Sequence, residues 1–234
     1  MLEFTIGIPL TVPPENIWNW MIEHDLIFQA PLSDELFLHG IQYKAYLRPA
    51  HPELVSIFNE HQHLETSEIE SLKSHRSILF LVGRIKDREA FLTIQDSLTK
   101  FLEAGALGIV MEHSGAAYTR EDWLEKFSED TVEGWINWIL MGGELRTFGL
   151  EIFGLADIAI PCRSDENTSD KEETLIGLAN DQFIDQTILE SNCFVVDVAG
   201  TEYLVNNTSK SPYSKEHPHF NKRGLQQLIK RTRA

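Results

Sequence analysis

The chain has 234 residues, long enough to bury a full core without disulfide or metal staples, and its 36 acidic against 20 basic residues give a formal net charge of −16. That imbalance repels nucleic acid and anionic membranes, which excludes both as general partners, and it would steer in a basic protein. No segment approaches the ~20 apolar residues that span a bilayer, and two cysteines, Cys162 and Cys193, make no disulfide framework and read as buried thiols of a reducing compartment.

Glu3 and Pro9, Pro13 and Pro14 interrupt the first apolar run, so no secretory signal is expected and the protein reads as cytoplasmic. Phe4 to Val12 predicts a strand, and Glu15 to Asp25 a helix with Ile17, Trp18, Met21 and Ile22 at helical spacing. Ile41 to Leu47 alternates as a half-buried strand; Glu53 to Glu60 reads as a short helix; the acidic stretch HQHLETSEIESLKSH reads as an exposed helix or mobile connector. The clearest unit is Ser77 to Glu112. The run Ile78 to Val82 predicts a covered strand, and Asp87 caps a helix bearing Phe91, Ile94, Leu98, Phe101 and Leu102. Gly105 ends that helix, and Leu107 to Met111 returns as a second strand. Phe80, Leu81, Phe91, Ile94, Leu98, Phe101, Ile109 and Met111 are expected to be buried together.

SGAAYT then reads as a loop, with Thr119 and Asp122 opening a mostly helical stretch, broken near Ser128 to Thr131, that places Trp135, Trp138 and Ile139 on one face. Leu145 to Pro161 predicts two strands, or one bent strand, punctuated by Gly149 and Gly154. Arg163 to Glu173 is a polar, acidic surface loop, Lys171 to Glu190 regains helical period, and Cys193 to Val205 reads as a hairpin around Ala199-Gly200. Beyond it Lys222, Arg223, Lys230, Arg231 and Arg233 make a basic end, read as folding back on the acidic body. The mixture predicts an α+β fold: a mixed or antiparallel sheet with helices mainly on one face, containing a βαβ-like unit, in a single domain over residues 1–234 whose basic segment from about 207 is partly flexible.

No complete catalytic constellation is present. Ser114 follows Glu112-His113 where a nucleophile elbow would need a glycine, and no glycine loop cradles a phosphate, so no cofactor is expected. The histidines His51, His61, His63 and His75 with Glu65, and His217 with His219, lack a second tight ligand pair, so no metal is expected. Acid and base groups for a hydrolase or transferase exist only if Glu112 and His113 converge with Asp157. The favoured reading is a protein that binds another, basic protein, through Asp165, Glu166, Asp170, Glu172 and Glu173, or through the Trp135 and Trp138 face.

At KSHRSILFLVGRI, LEAGALGIVMEHSGAAY and RTFGLEIFGLADI, roughly Ser74 to Pro161, the chain resembles a loosely defined group of bacterial proteins of unknown function. They share a hydrophobic strand, a helix, an alanine-glycine turn into a second strand and a later glycine-punctuated strand. Such proteins are often encoded near secreted toxins, so the resemblance implies an immunity-type inhibitor, and it brings no catalytic residues with it.

Overall fold

The computed structural model describes residues 3–127, 130–217 and 219–231; Ser128 and Arg233, which figure in the sequence reading, lie outside them. The chain forms two compact units, Glu3–Asp130 and the residues from Thr131 onward, where the sequence reading expects one domain. Each holds a six-stranded sheet, one antiparallel and one mixed, and the α+β class holds.

The first unit runs β1 (Phe4–Leu10), α1 (Ile17–Glu23), β2 (Glu35–Leu38), β3 (Ile41–Pro49), α2 (Leu54–His61), α3 (Thr66–Lys73), β4 (Ser77–Gly83), α4 (Arg88–Glu103), β5 (Gly108–Met111), β6 (Ala116–Thr119) and α5 (Arg120–Lys126). Its sheet order is β2-β3-β4-β1-β5-β6. The strands β4 and β5 flanking α4 therefore run parallel without pairing, since β1 lies between them, antiparallel to both. A βαβ unit split by the first strand is the result. The Asp87 carboxylate accepts from the Ala90 N–H at 2.8 Å, as its cap position predicts.

Phe91, Ile94, Leu98, Phe101 and Leu102 of α4 are each at most 1% exposed. Burial of such side chains stabilises by about 1.5–3 kcal/mol apiece, the main reason α4 stays on the sheet. They face the row Ile6, Ile8, Leu79, Leu81, Ile109 and Met111, also fully buried or nearly so. Phe80 departs from the expectation. Alternation turns it to the opposite face, where its ring stacks on Tyr46 at 5.2 Å. On that face Leu54 and Phe58 of α2, Leu72 of α3, Ile78 and Ala117 form a second cluster, so helices flank this sheet on two sides instead of mainly on one. The polar connector is α3, started by a capping box between Glu65 and Glu68. Residues read as loop, Ala116–Thr119, are β6, paired to β5 from Met111↔Ala116 to Gly108↔Thr119.

The second unit runs β7 (Asn137–Met141), β8 (Glu144–Phe148), β9 (Asp157–Pro161), α6 (Ser169–Phe183), β10 (Phe194–Val196), β11 (Glu202–Thr208) and β12 (Leu225–Lys230), in sheet order β10-β11-β12-β9-β8-β7. The helix expected through Trp138 is absent. Asn137–Met141 is a strand returned by Gly142-Gly143, whose φ values of 62° and 81° are those of a tight two-residue hairpin turn. The basic end is not a tail: β12 lies inside the sheet, antiparallel to β11 and parallel to β9. Two of its charges fold back as expected, Lys222 to Glu151 at 3.7 Å and Arg231 to Glu202 at 3.1 Å. Among the described residues no helix is long and apolar enough to cross a membrane.

Candidate functional site

The acidic segment predicted to make contact borders a cavity of about 600 Å³ in the second unit. One wall is the chain leaving β9, from Cys162 and Arg163 through Glu166, into the first turn of α6 at Asp170 and Lys171. The facing wall is the β10–β11 hairpin, at Asp197, Ala199, Thr201 and Tyr203. Local chemistry fixes both. The Glu166 carboxylate accepts from the Arg163 N–H at 3.1 Å and from the Lys171 ammonium, and the ammonium holds the Glu166 carboxyl below its usual range. The Arg163 guanidinium donates twice to Asp165, at 3.1 and 3.2 Å. Across the cavity, Asp197 accepts from the Thr201 N–H at 2.7 Å and from the Tyr203 hydroxyl at 2.9 Å. Burial first, and Asp197 second, raise the pKa of that hydroxyl.

These contacts sort the five predicted acids into two groups. Asp165 and Glu166 are already neutralised by Arg163 and Lys171, whereas Asp170, Glu172 and Glu173 form no ion pair among the described residues. The latter three also lie in the first turns of α6 and not in a loop, because Ser169 opens the helix earlier than its apolar period suggests. In the first turn the helix dipole favours the charges of Asp170 and Glu172 whether or not a partner exists.

The hairpin brings an apolar feature that the sequence reading missed. Phe194, Val196 and Val198 are 56%, 61% and 54% exposed. β10 is an edge strand whose inward bonds are made at Cys193, where the carbonyl accepts from Val205, and at Asp197, whose N–H donates to Thr201. The register Val195↔Tyr203 lies between them, so the N–H and C=O groups of Phe194 and Val196 point away from the sheet. No charge or proline guards this edge, although Arg231 lies over the Phe194 ring at 5.0 Å. The signal was legible: four apolar residues in Phe194 to Val198 exceed what one buried face can take.

The other predicted residues disperse. Trp135 is fully buried in a 3-10 turn, edge-on to Phe153, and offers no contact surface. Trp138 is half-buried on β7, so the two do not form a helical face. Glu112 and His113 sit with Ser114 and Gly115 in the four-residue loop joining β5 to β6, in the first unit. Partial burial raises the Glu112 carboxyl above its usual value. Asp157 opens β9 in the second unit, so neither unit contains the proposed acid/base trio. Burial pushes the Asp157 carboxyl up to about 8, against the opposing hydrogen bonds of Asn221 and the Leu150 N–H, and its Oδ1 has no partner among the described residues.

The histidines serve packing. His75 accepts from the His51 N–H at 2.8 Å through Nε2 and bonds the Leu72 carbonyl through Nδ1 at 2.7 Å, which uses both nitrogens and sets the tautomer. His61 meets Tyr118 edge-on, and His217 and His219 pack on Tyr213. His63 lines a separate acidic cavity with Glu65, Glu68, Glu121 and Asp122. Among the described residues no three His, Cys, Asp or Glu side chains gather as a metal site. Both thiols are free, Cys162 buried and Cys193 half-buried. No family model, no curated protein and no solved structure matches this chain.

Proposed function

We propose that the protein acts by binding another protein, as an immunity-type inhibitor of a basic toxin or effector, through the hairpin face of its second unit. The observation that carries this reading is an edge strand with no charged residue of its own and with Phe194 and Val196 exposed, in a hairpin whose turn and second strand line a cavity that also bears the unpaired Asp170. An extended segment of the partner adds to β10, its backbone meeting the outward groups of Phe194 and Val196 and its apolar side chains covering theirs. The acids of α6 steer the approach of a basic surface and set the association rate more than the final affinity. Inhibition follows from occlusion, with no chemistry required.

The test is affinity capture from the source cell, at low and at higher salt, with the wild-type chain and with Val196→Lys. Position 196 is exposed, so the lysine leaves folding within about 0.5 kcal/mol while placing a charge on the pairing edge. The expected outcome is a basic protein retained by the wild type, less at higher salt, and lost from the variant. Identical captured sets from the two baits would overturn the reading.

A further inference from the structure

The first unit holds a second cavity, of about 580 Å³, whose lining runs against the charge of the chain around it. Its polar walls are Lys44 of β3, with Arg84 and Lys86 in the segment between β4 and α4; Glu3 and Glu35 are the acids. Arg84 is taken by Glu3 at 2.8 Å. Lys44 and Lys86 form no ion pair among the described residues, although Glu35 stands directly across the ladder from Lys44. Two ammonium groups without an ion pair therefore line one cleft of a protein whose net charge is −16.

Two further features share the cavity. Lys86 and Ala90 bring the amino end of the 16-residue helix α4 to its wall; the Asp87 carboxylate already caps that end at the Ala90 N–H, so the lysines and not the helix supply the positive charge. Phe37 of the edge strand β2 also lines it and leaves 61% of its surface in water, an apolar face with nothing on it. The volume falls in the range of small-molecule sites, about 300–1,000 Å³.

We propose that this cleft binds a phosphorylated small molecule of nucleotide type, its phosphates on the Lys44 and Lys86 ammonium groups and its ring against Phe37. The site is distinct from the hairpin face and stands or falls without it. Lysine is suited to this role as a mobile point charge, and ring stacking on one exposed aromatic gives affinity without choice of base.

The test uses the full chain in isothermal titration at low salt with adenosine triphosphate, pyrophosphate and adenosine as probes. Adenosine triphosphate is expected to bind, pyrophosphate to bind more weakly, and adenosine not to bind. Lys44→Gln with Lys86→Gln, both exposed positions, should weaken the triphosphate about tenfold or more, and Phe37→Ala should weaken the triphosphate but not pyrophosphate. Circular dichroism confirms that each variant is folded. No heat from either anion, or anion binding unchanged in the double lysine variant, would overturn the proposal.

Discussion

Asp157 offers the sharpest test of how the second unit is held together. The residue is only 6% exposed, and burial pushes its carboxyl up to about 8 in the folded chain, against 3.8 for the ordinary group. Between those two values the folded chain keeps a proton that the unfolded chain has released. The contribution is fully present below the lower value and is lost as pH rises through the upper one, with a slope of about 1.4 kcal/mol per pH unit. At neutral pH the folded state therefore gives up about 4 kcal/mol relative to a side chain of the same shape that cannot ionise. Asp157→Asn is that side chain. Urea denaturation of both proteins from about pH 4.5 to 7.5, following the transition of the second unit, isolates this group because all others cancel in the difference. Similar stability at the acid end should give way to an advantage for the variant that widens by more than about 1 kcal/mol per pH unit. A difference that stays flat across the range would show that the carboxyl is ionised in the fold, and the argument from burial would be wrong.

Four further outcomes follow from the packing and the charges. Replacing Asp170, Glu172 and Glu173 by Asn, Gln and Gln should cost about 0.3–1 kcal/mol at each of the first two sites through the α6 dipole and slow association with a basic partner at low salt. Asp165→Asn with Glu166→Gln should also slow that association in surface plasmon resonance at low salt, because it leaves the Arg163 and Lys171 cations without their acids and facing a basic partner. Gly108→Ala would set a Cβ 2.5 Å from the Tyr118 carbonyl oxygen and 2.7 Å from the Phe58 ring, and should lower the denaturation midpoint by the equivalent of about 2 kcal/mol or more. Ile94→Ala empties a fully buried site under α4 and should cost about 2–5 kcal/mol by the same measurement.

Legibility in the sequence followed the strength of local signals. The cap at Asp87 and the stripe on α4 each have a single physical reading, and the structure has them where expected; Gly149 and Gly154, open between bulge and turn, bracket a 3-10 turn between two strands. Trp135, Trp138 and Ile139 fall at helical spacing by coincidence, one in a buried turn and two on a strand. There the Gly142-Gly143 turn was the better guide. Strand β12 was missed because Gln226 and Gln227 dilute its apolar content, a composition the ladder tolerates in a strand whose backbone is paired on both sides. The division into two units falls at the break expected near Ser128 to Thr131, which reads in the sequence as an interrupted helix and not as a boundary, so the sequence did not show that Glu112 and Asp157 belong to different units. Exposure at Phe194 and the unpaired state of Lys44 and Lys86 depend on what lies across a sheet or cleft, which spacing along the chain does not encode.

The place of β12 has a consequence for when the protein becomes competent. The hairpin β10–β11 joins the rest of its sheet only through Leu225–Lys230, since β11 pairs with β12 and not with β9. During synthesis the hairpin residues emerge some thirty positions earlier, yet they have nothing to dock on until that last strand is out. A nick or stop shortly before Leu225 would leave Phe194 and Val196 unaltered and still abolish the surface they form. Such a cut would also bare the edge of β9, whose residues Ile158, Ala159 and Ile160 are fully buried in the intact fold, and leave an apolar strand edge that can seed aggregation.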